Sequence, residues 1–128
     1  MSKQVIRTDN APAAIGPYSQ AVKAGGFLYI SGQLALDPAT GDMIDEEISG
    51  QARQAMENVK AILEEAGYTF DDVVSATVYL QNMDDFAAMN KVYAEYFVPD
   101  NCPARAAIEV AALPRGGLVE VVVVAYKA

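Results

Sequence analysis

Two ionised side chains stand where ionised side chains are costly. Arg105 lies within Pro103-Ala104-Arg105-Ala106-Ala107-Ile108, and Glu120 within Leu118-Val119-Glu120-Val121-Val122-Val123-Val124, each among small or apolar neighbours. Charged groups seldom occupy such settings unpaired. Two readings are open. In the first, the two form an architectural salt bridge, or both heads reach water at a strand edge. In the second, a guanidinium with five fixed donors and a carboxylate share a semi-dry cleft that holds a small carboxylic acid and a water. If the two segments pair as antiparallel strands, registers opposing odd to even positions put both residues on one sheet face, and odd-to-odd registers separate them.

Other chemistries are thinner. The sequence has no histidine, which removes Ser-His-Asp and Cys-His catalysis and every His-based metal site. Ser31, in Ile30-Ser31-Gly32-Gln33, lacks both a nucleophile elbow and a base, and reads as a hydrogen-bonding strand end. Gly25-Gly26 and Gly116-Gly117 are turn glycines without the spacing of a phosphate loop. The single cysteine, Cys102, reads as a passive free thiol and fits a reducing compartment, so the expected location is cytoplasmic. A net charge of −8 opposes nonspecific attraction to nucleic acid. The stretch from Met1 to Gly16 lacks the apolar run of a secretory leader, and Val121 to Tyr126 is far too short to span a bilayer.

The elements that must position these residues follow from periodicity. Segments 19–24 and 27–31 read as strands joined by a Gly25-Gly26 hairpin turn. Ile48, Ala52, Ala55, Met56, Val59, Ile62, Leu63 and Ala66 recur at helical spacing and predict an amphipathic helix ended by Gly67. Val74, Ala76, Val78 and Leu80 alternate with Val73, Ser75, Thr77 and Tyr79 as a strand. Asp84 and Asp85 open a second helix whose face carries Phe86, Met89, Tyr93, Tyr96 and Phe97, ended by Pro99. Strands over 104–110 and 118–126 complete an order β-β-α-β-α-β-β across one domain spanning residues 1–128. The predicted class is α+β, with both helices on one sheet face. Val121 and Val123 oppose Val122 and Val124, so the last strand is apolar on both sides and calls for a partner subunit.

The run from Pro103 to Leu113, followed by Val119-Glu120-Val121, resembles the C-terminal signature of the Rid family, also called YjgF/YER057c/UK114. Ile15-Gly16-Pro17-Tyr18-Ser19-Gln20-Ala21, Ser31-Gly32-Gln33, Gln51-Ala52, Asn58-Val59, Asp85-Phe86 and Asn90 extend the resemblance over essentially the whole chain. It implies a chorismate-mutase-like fold with a mixed sheet, assembled as a trimeric barrel with sites in clefts between subunits. It implies hydrolytic deamination of 2-iminopropanoate and 2-iminobutanoate to 2-keto acids, without a cofactor, removing the reactive products of pyridoxal-phosphate-dependent dehydratases.

By the same resemblance Arg105 binds the substrate carboxylate and Glu120 holds or activates the attacking water. Tyr18 joins them, and Ser31, Gly32 and Asn90 complete the pocket. Position 107 departs from the pattern: many members carry cysteine there and this chain has Ala107, which keeps backbone contacts and removes any thiol chemistry. The competing classes are a nonenzymatic chaperone or small-acid binder, and an RNA-directed translational inhibitor. A retained arginine pocket favours the enzyme, and the acidic balance disfavours RNA.

Overall fold

The computed structural model describes residues 2–128; Met1, the first residue of the N-terminal stretch read above, lies outside them. The chain runs β1 (Gln4–Ile6), β2 (Ala21–Ala24), β3 (Phe27–Gln33), α1 (Ile48–Ala66), β4 (Val73–Leu80), α2 (Phe86–Ala94), β5 (Ala104–Glu109) and β6 (Val119–Tyr126). The strands form one six-stranded sheet in the order β1-β2-β3-β6-β4-β5. It is a mixed sheet: β4 and β5 are parallel and the other neighbours antiparallel.

Both helices cover one face. The apolar stripe of α1, with Ala52, Ala55, Met56, Val59, Ile62 and Leu63 buried, meets Ala76, Val78 and Leu80 of β4 and Val119, Val121 and Val123 of β6 in a single core. Gly67 ends α1 as expected: at φ 86° it turns left-handed, and its N–H and that of Tyr68 close on the carbonyls of Glu64 and Leu63. The α+β class and the one-sided placement of the helices stand as predicted.

Four expectations need correction. A short first strand, β1, extends the sheet beyond β2; only Ile6 of its three residues is buried, so it left no alternation to read. In β4 the register slips between Val73 and Ser75, which buries Val73 and leaves Val74 outside the inward set of Ala76, Val78 and Leu80. The second helix stops at Ala94, well before Pro99, because its last N–H groups from Glu95 to Phe97 reach back three residues and tighten the turn. Asp85 stands at its N-cap, as expected, but makes no side-chain cap hydrogen bond; the capping side chain is that of Asn82, which accepts from Asp84 N–H and opens the single turn, Met83–Asp85, that leads into the helix.

The fourth correction concerns the two costly charges. The strands carrying them, β5 and β6, do not pair at all, because β4 lies between them. Arg105 is opposite Ala76 and Glu120 opposite Tyr79. Side chains at 76 and 79 point to opposite sides of β4, so Arg105 faces the helices and Glu120 the open sheet face. The ion pairs among the described residues are Arg7–Asp9 and Arg53–Glu95, which excludes an Arg105–Glu120 bridge within one subunit.

Buried amides fix the loops. Gln20 accepts from Thr8 N–H and donates to the carbonyls of Thr8, Ala11 and Pro12, stapling the N-terminal segment beside β2. Asn58, fully buried on α1, donates to the carbonyls of Leu34 and Leu36, while Gln51 accepts from Leu118 N–H at the start of β6. Each is a polar group whose burial is offset by hydrogen bonds that define a loop path.

Candidate functional site

The predicted site residues fall into two groups. Tyr18, Ser31, Gly32 and Glu120 line one cleft of about 640 Å³. At its floor β3 bulges: Ile30 pairs with Val123 and Gln33 with Val121, so Ser31 and Gly32 share the space opposite one residue of β6. Ser31 is held there by its hydroxyl, which donates to the Ser19 carbonyl at 2.6 Å, and by its N–H, which donates to that of Gln20. Gly32 makes room for the Glu120 carboxylate. A Cβ at that position would lie 2.5 Å from Glu120 Oε2 and 2.7 Å from its carboxyl carbon. The missing side chain is what lets the Glu120 carboxylate lie against the bulge.

Glu120 is half-buried, and desolvation by that burial raises its pKa above the ordinary 4.5. A carboxylate so placed is a stronger proton acceptor than an exposed glutamate. Tyr18, exposed, follows Gly16, whose φ of 125° excludes most side chains, and the Tyr18 N–H closes on the Gly16 carbonyl at 2.9 Å.

Arg105 and Asn90 form the second group, in a cleft of about 560 Å³ between α2 and β5. One guanidinium nitrogen, Nη1, donates to Asn90 Oδ1. The guanidinium carbon sits 4.8 Å from the Tyr93 ring centroid and 5.5 Å from that of Phe86. Two aromatic faces and an amide thus orient the fork without neutralising it, and no acidic side chain among the described residues pairs with it. Ala107 lies on the same side of β5, opposite Val78, and lines neither cleft. Because β5 is the edge strand, its outer backbone groups are left without a sheet partner.

Two residues escaped the sequence reading. Tyr93 was an aromatic core position; it also supports Arg105, and its buried hydroxyl has no hydrogen-bond partner, with burial raising its pKa to about 12. Arg115 lay unremarked in the 113–117 loop and lines the Glu120 cleft. A cation a few residues before Glu120 was the available signal, but nothing in composition told where its side chain would point.

The fold and both half-sites can be compared with known proteins. The Endoribonuclease L-PSP family model matches residues 8–127. RutC family protein PH0854 of Pyrococcus horikoshii is 57% identical, covering 98% of each chain. The 2-iminobutanoate/2-iminopropanoate deaminase of Capra hircus is 50% identical over 98% of this chain and 90% of its own. Among solved structures, the Rid-family protein YyfA of Yersinia pestis superposes with a TM-score of 0.95 at 46% identity, covering 98% of this chain and 100% of that one. A match that takes in the bulge at Ser31-Gly32, Arg105 and Glu120 together with the whole sheet leaves one assignment: the chain belongs to the Rid (YjgF) family.

Proposed function

We propose that this protein is a 2-iminobutanoate/2-iminopropanoate deaminase, hydrolysing small 2-imino acids to 2-keto acids and ammonia at a site shared between subunits of a homotrimer. The observation that carries the reading is the division of the site. An oriented arginine without a carboxylate partner faces one side of the sheet, and a desolvated glutamate in a cleft faces the other. One subunit cannot bring them to the same small molecule; two subunits can.

The open sheet face supports association. Phe27, Tyr29, Ile108 and Tyr126 are 41%, 51%, 43% and 43% exposed there, beside half-buried Val122 and Val124. Exposed apolar side chains on one sheet face favour coverage by another subunit. The goat relative's name and its 50% identity support the reaction. Among the described residues no helix is long and apolar enough to cross a membrane, and Cys102, exposed and unbridged, suits the reducing cytoplasm.

In this reading Arg105 binds the substrate carboxylate bidentately, with Asn90 and the aromatic rings holding the fork. Glu120 positions a water against C2. The water oxygen adds to C2 as the C=N pair moves to nitrogen, which takes a proton; the water's surplus proton passes to Glu120 or through Tyr18. The carbinolamine then collapses: its amino nitrogen takes the proton held by Glu120, the C–N bond breaks with its pair on nitrogen so that ammonia leaves, and the hydroxyl proton passes to the Glu120 carboxylate as C=O forms. Ser31 and Gly32 complete the wall on the Glu120 side, and the free outer backbone of β5 at Ala107, which lines neither cleft within one subunit, meets the substrate only in the assembled site. No cofactor is needed, because a free imine already hydrolyses in water and orientation with proton transfer supplies the acceleration.

The test couples the protein to a threonine dehydratase and follows imine decay by semicarbazide trapping, with light scattering in parallel. Faster imine loss and a mass three times 13.7 kDa are expected. Imine decay at the uncatalysed rate would refute the activity, and a monomer at micromolar concentration would refute the shared site.

A further inference from the structure

The turn that leads into β6 carries an arginine where the backbone asks for something else. Pro114–Gly116 forms a single turn closed by Gly117 N–H on the Pro114 carbonyl at 3.1 Å. Its two central residues both have positive φ, Arg115 at φ 60°, ψ 18° and Gly116 at φ 69°. Positions of this kind are dominated by Gly, Asn and Asp, because a Cβ crowds the backbone in the left-handed region. The chain puts glycine at 116 and again at 117, where a Cβ would meet Leu34 Cδ2 at 2.9 Å, yet keeps a long β-carbon-bearing cation at 115. Strain of this sort persists where surrounding packing fixes the turn, and it points to a use for the side chain.

Arg115 lines the same cleft as Tyr18, Ser31, Gly32 and Glu120, and among the described residues it is the one basic residue that does so. It joins no ion pair among the described residues, so its charge is available. The rest of the wall is largely apolar, from Pro12, Ile15, Leu34 and Leu36. A cleft of about 640 Å³ lies within the range that drug-sized ligands fill, roughly 300–1,000 Å³, and a three- or four-carbon acid uses a fraction of it.

We infer that Arg115 is a specificity-determining residue that accepts a second, distal carboxylate, extending the substrate range to dicarboxylic 2-imino acids. The inference rests on the reading of the site as an imine hydrolase. Arg105 of one subunit takes the carboxylate at C1, the Glu120 half of another serves C2, and Arg115, on the Glu120 side, meets the far end of the substrate. The reaction is the same hydrolysis, with the same atoms exchanged; only the anchoring of the side chain is new. The cation also draws dianions into a protein whose net charge of −8 would otherwise repel them.

Arg115→Asn removes the charge with a residue that tolerates the left-handed backbone, and Arg115→Lys keeps the charge without the planar fork. Two readouts are compared in the purified full-length protein. One is the ratio of kcat/KM for 2-iminoglutarate, generated by glutamate oxidation, to that for 2-iminobutanoate. The other is the ratio of affinities for 2-oxoglutarate and 2-oxobutanoate by calorimetry. We expect wild-type protein to favour the dicarboxylate in both, Arg115→Asn to lower each ratio about tenfold or more, as loss of a charged hydrogen bond predicts, and Arg115→Lys to fall between. Ratios unchanged in Arg115→Asn, with 2-iminobutanoate still hydrolysed, overturn the role of Arg115 and spare the deaminase reading. Affinity ratios that depend on Arg115 in a protein that hydrolyses neither imine support the subsite and overturn the deaminase reading.

Discussion

Replacing Arg105 by lysine separates charge from geometry at the proposed carboxylate anchor. The native fork donates to Asn90 and lies 4.8 Å and 5.5 Å from two ring centroids, so it is aimed before any ligand arrives. Arg105 is itself exposed on an edge strand, where cation–π contacts contribute about 0.5–1 kcal/mol each and an ion on the surface contributes little to folding. Thermal stability of Arg105→Lys should therefore stay within about 1 kcal/mol of wild type. Binding is a different matter. Losing one partner of a desolvated charge pair costs about 2–5 kcal/mol, and lysine, which keeps the charge, should fall in the lower part of that range. About 2–3 kcal/mol corresponds to a roughly 30- to 150-fold loss in kcat/KM for 2-iminobutanoate. The assay is dehydratase-coupled imine decay, run beside thermal melting and light scattering. Asn90→Ala should weaken the wild-type enzyme more than it weakens Arg105→Lys, since the amide then has no fork to aim. Wild-type hydrolysis by a folded Arg105→Lys protein would refute bidentate capture, and hydrolysis surviving Arg105→Ala would remove this arginine from the site.

Gly32→Ala drives a Cβ into the Glu120 carboxyl, whose flexible end can give way; the fold should survive while displacement of the proton-transfer group by about 1 Å lowers turnover on the order of 100-fold, and an alanine variant of full activity would show that the carboxylate position is immaterial. Glu120→Gln should impair turnover but keep 2-oxobutanoate binding by calorimetry. The same variant carries a pH signature. Burial raises the folded-state pKa of Glu120 above 4.5, so the folded chain holds this proton more tightly than the unfolded one, an advantage that is full below 4.5 and is lost as pH rises through the folded value. Melting curves should accordingly show Glu120→Gln gaining on wild type as pH rises through that window, whereas a variant that loses ground to wild type over it would reverse the assigned sign. Tyr93→Phe removes a buried hydroxyl that has no partner and keeps the ring beneath Arg105; the expected change is neutral to about 1 kcal/mol stabilising, and a loss above 1 kcal/mol on chemical denaturation would mean that the hydroxyl is satisfied in solution.

What the sequence revealed depended on how locally each feature is determined. The helix Ile48–Ala66 and its stop at Gly67 were legible because burial of one face and a left-handed exit are both written within a few residues of where they act. Val74 was misread because a bulge is a two-strand property: the slip appears only against Ala125 and Val124 of β6. β1 was invisible because a three-residue strand with one buried side chain has no period. The site divides along the same line. Arg105 and Glu120 stood out because an ionised group in an apolar run is anomalous wherever it folds, and the family resemblance supplied their companions. Their relation could not be read, because strand order sets it, and no pattern in either segment says that β4 will lie between them. That insertion is the physical reason for proposing that the chemistry belongs to an assembly. Two charges on adjacent strands and one face would neutralise each other and leave a static bridge. Two charges on opposite faces each retain an unmet partner: Arg105 an anion, Glu120 a polar ligand to offset its burial. A small acid and a water held between subunits meet both needs at once.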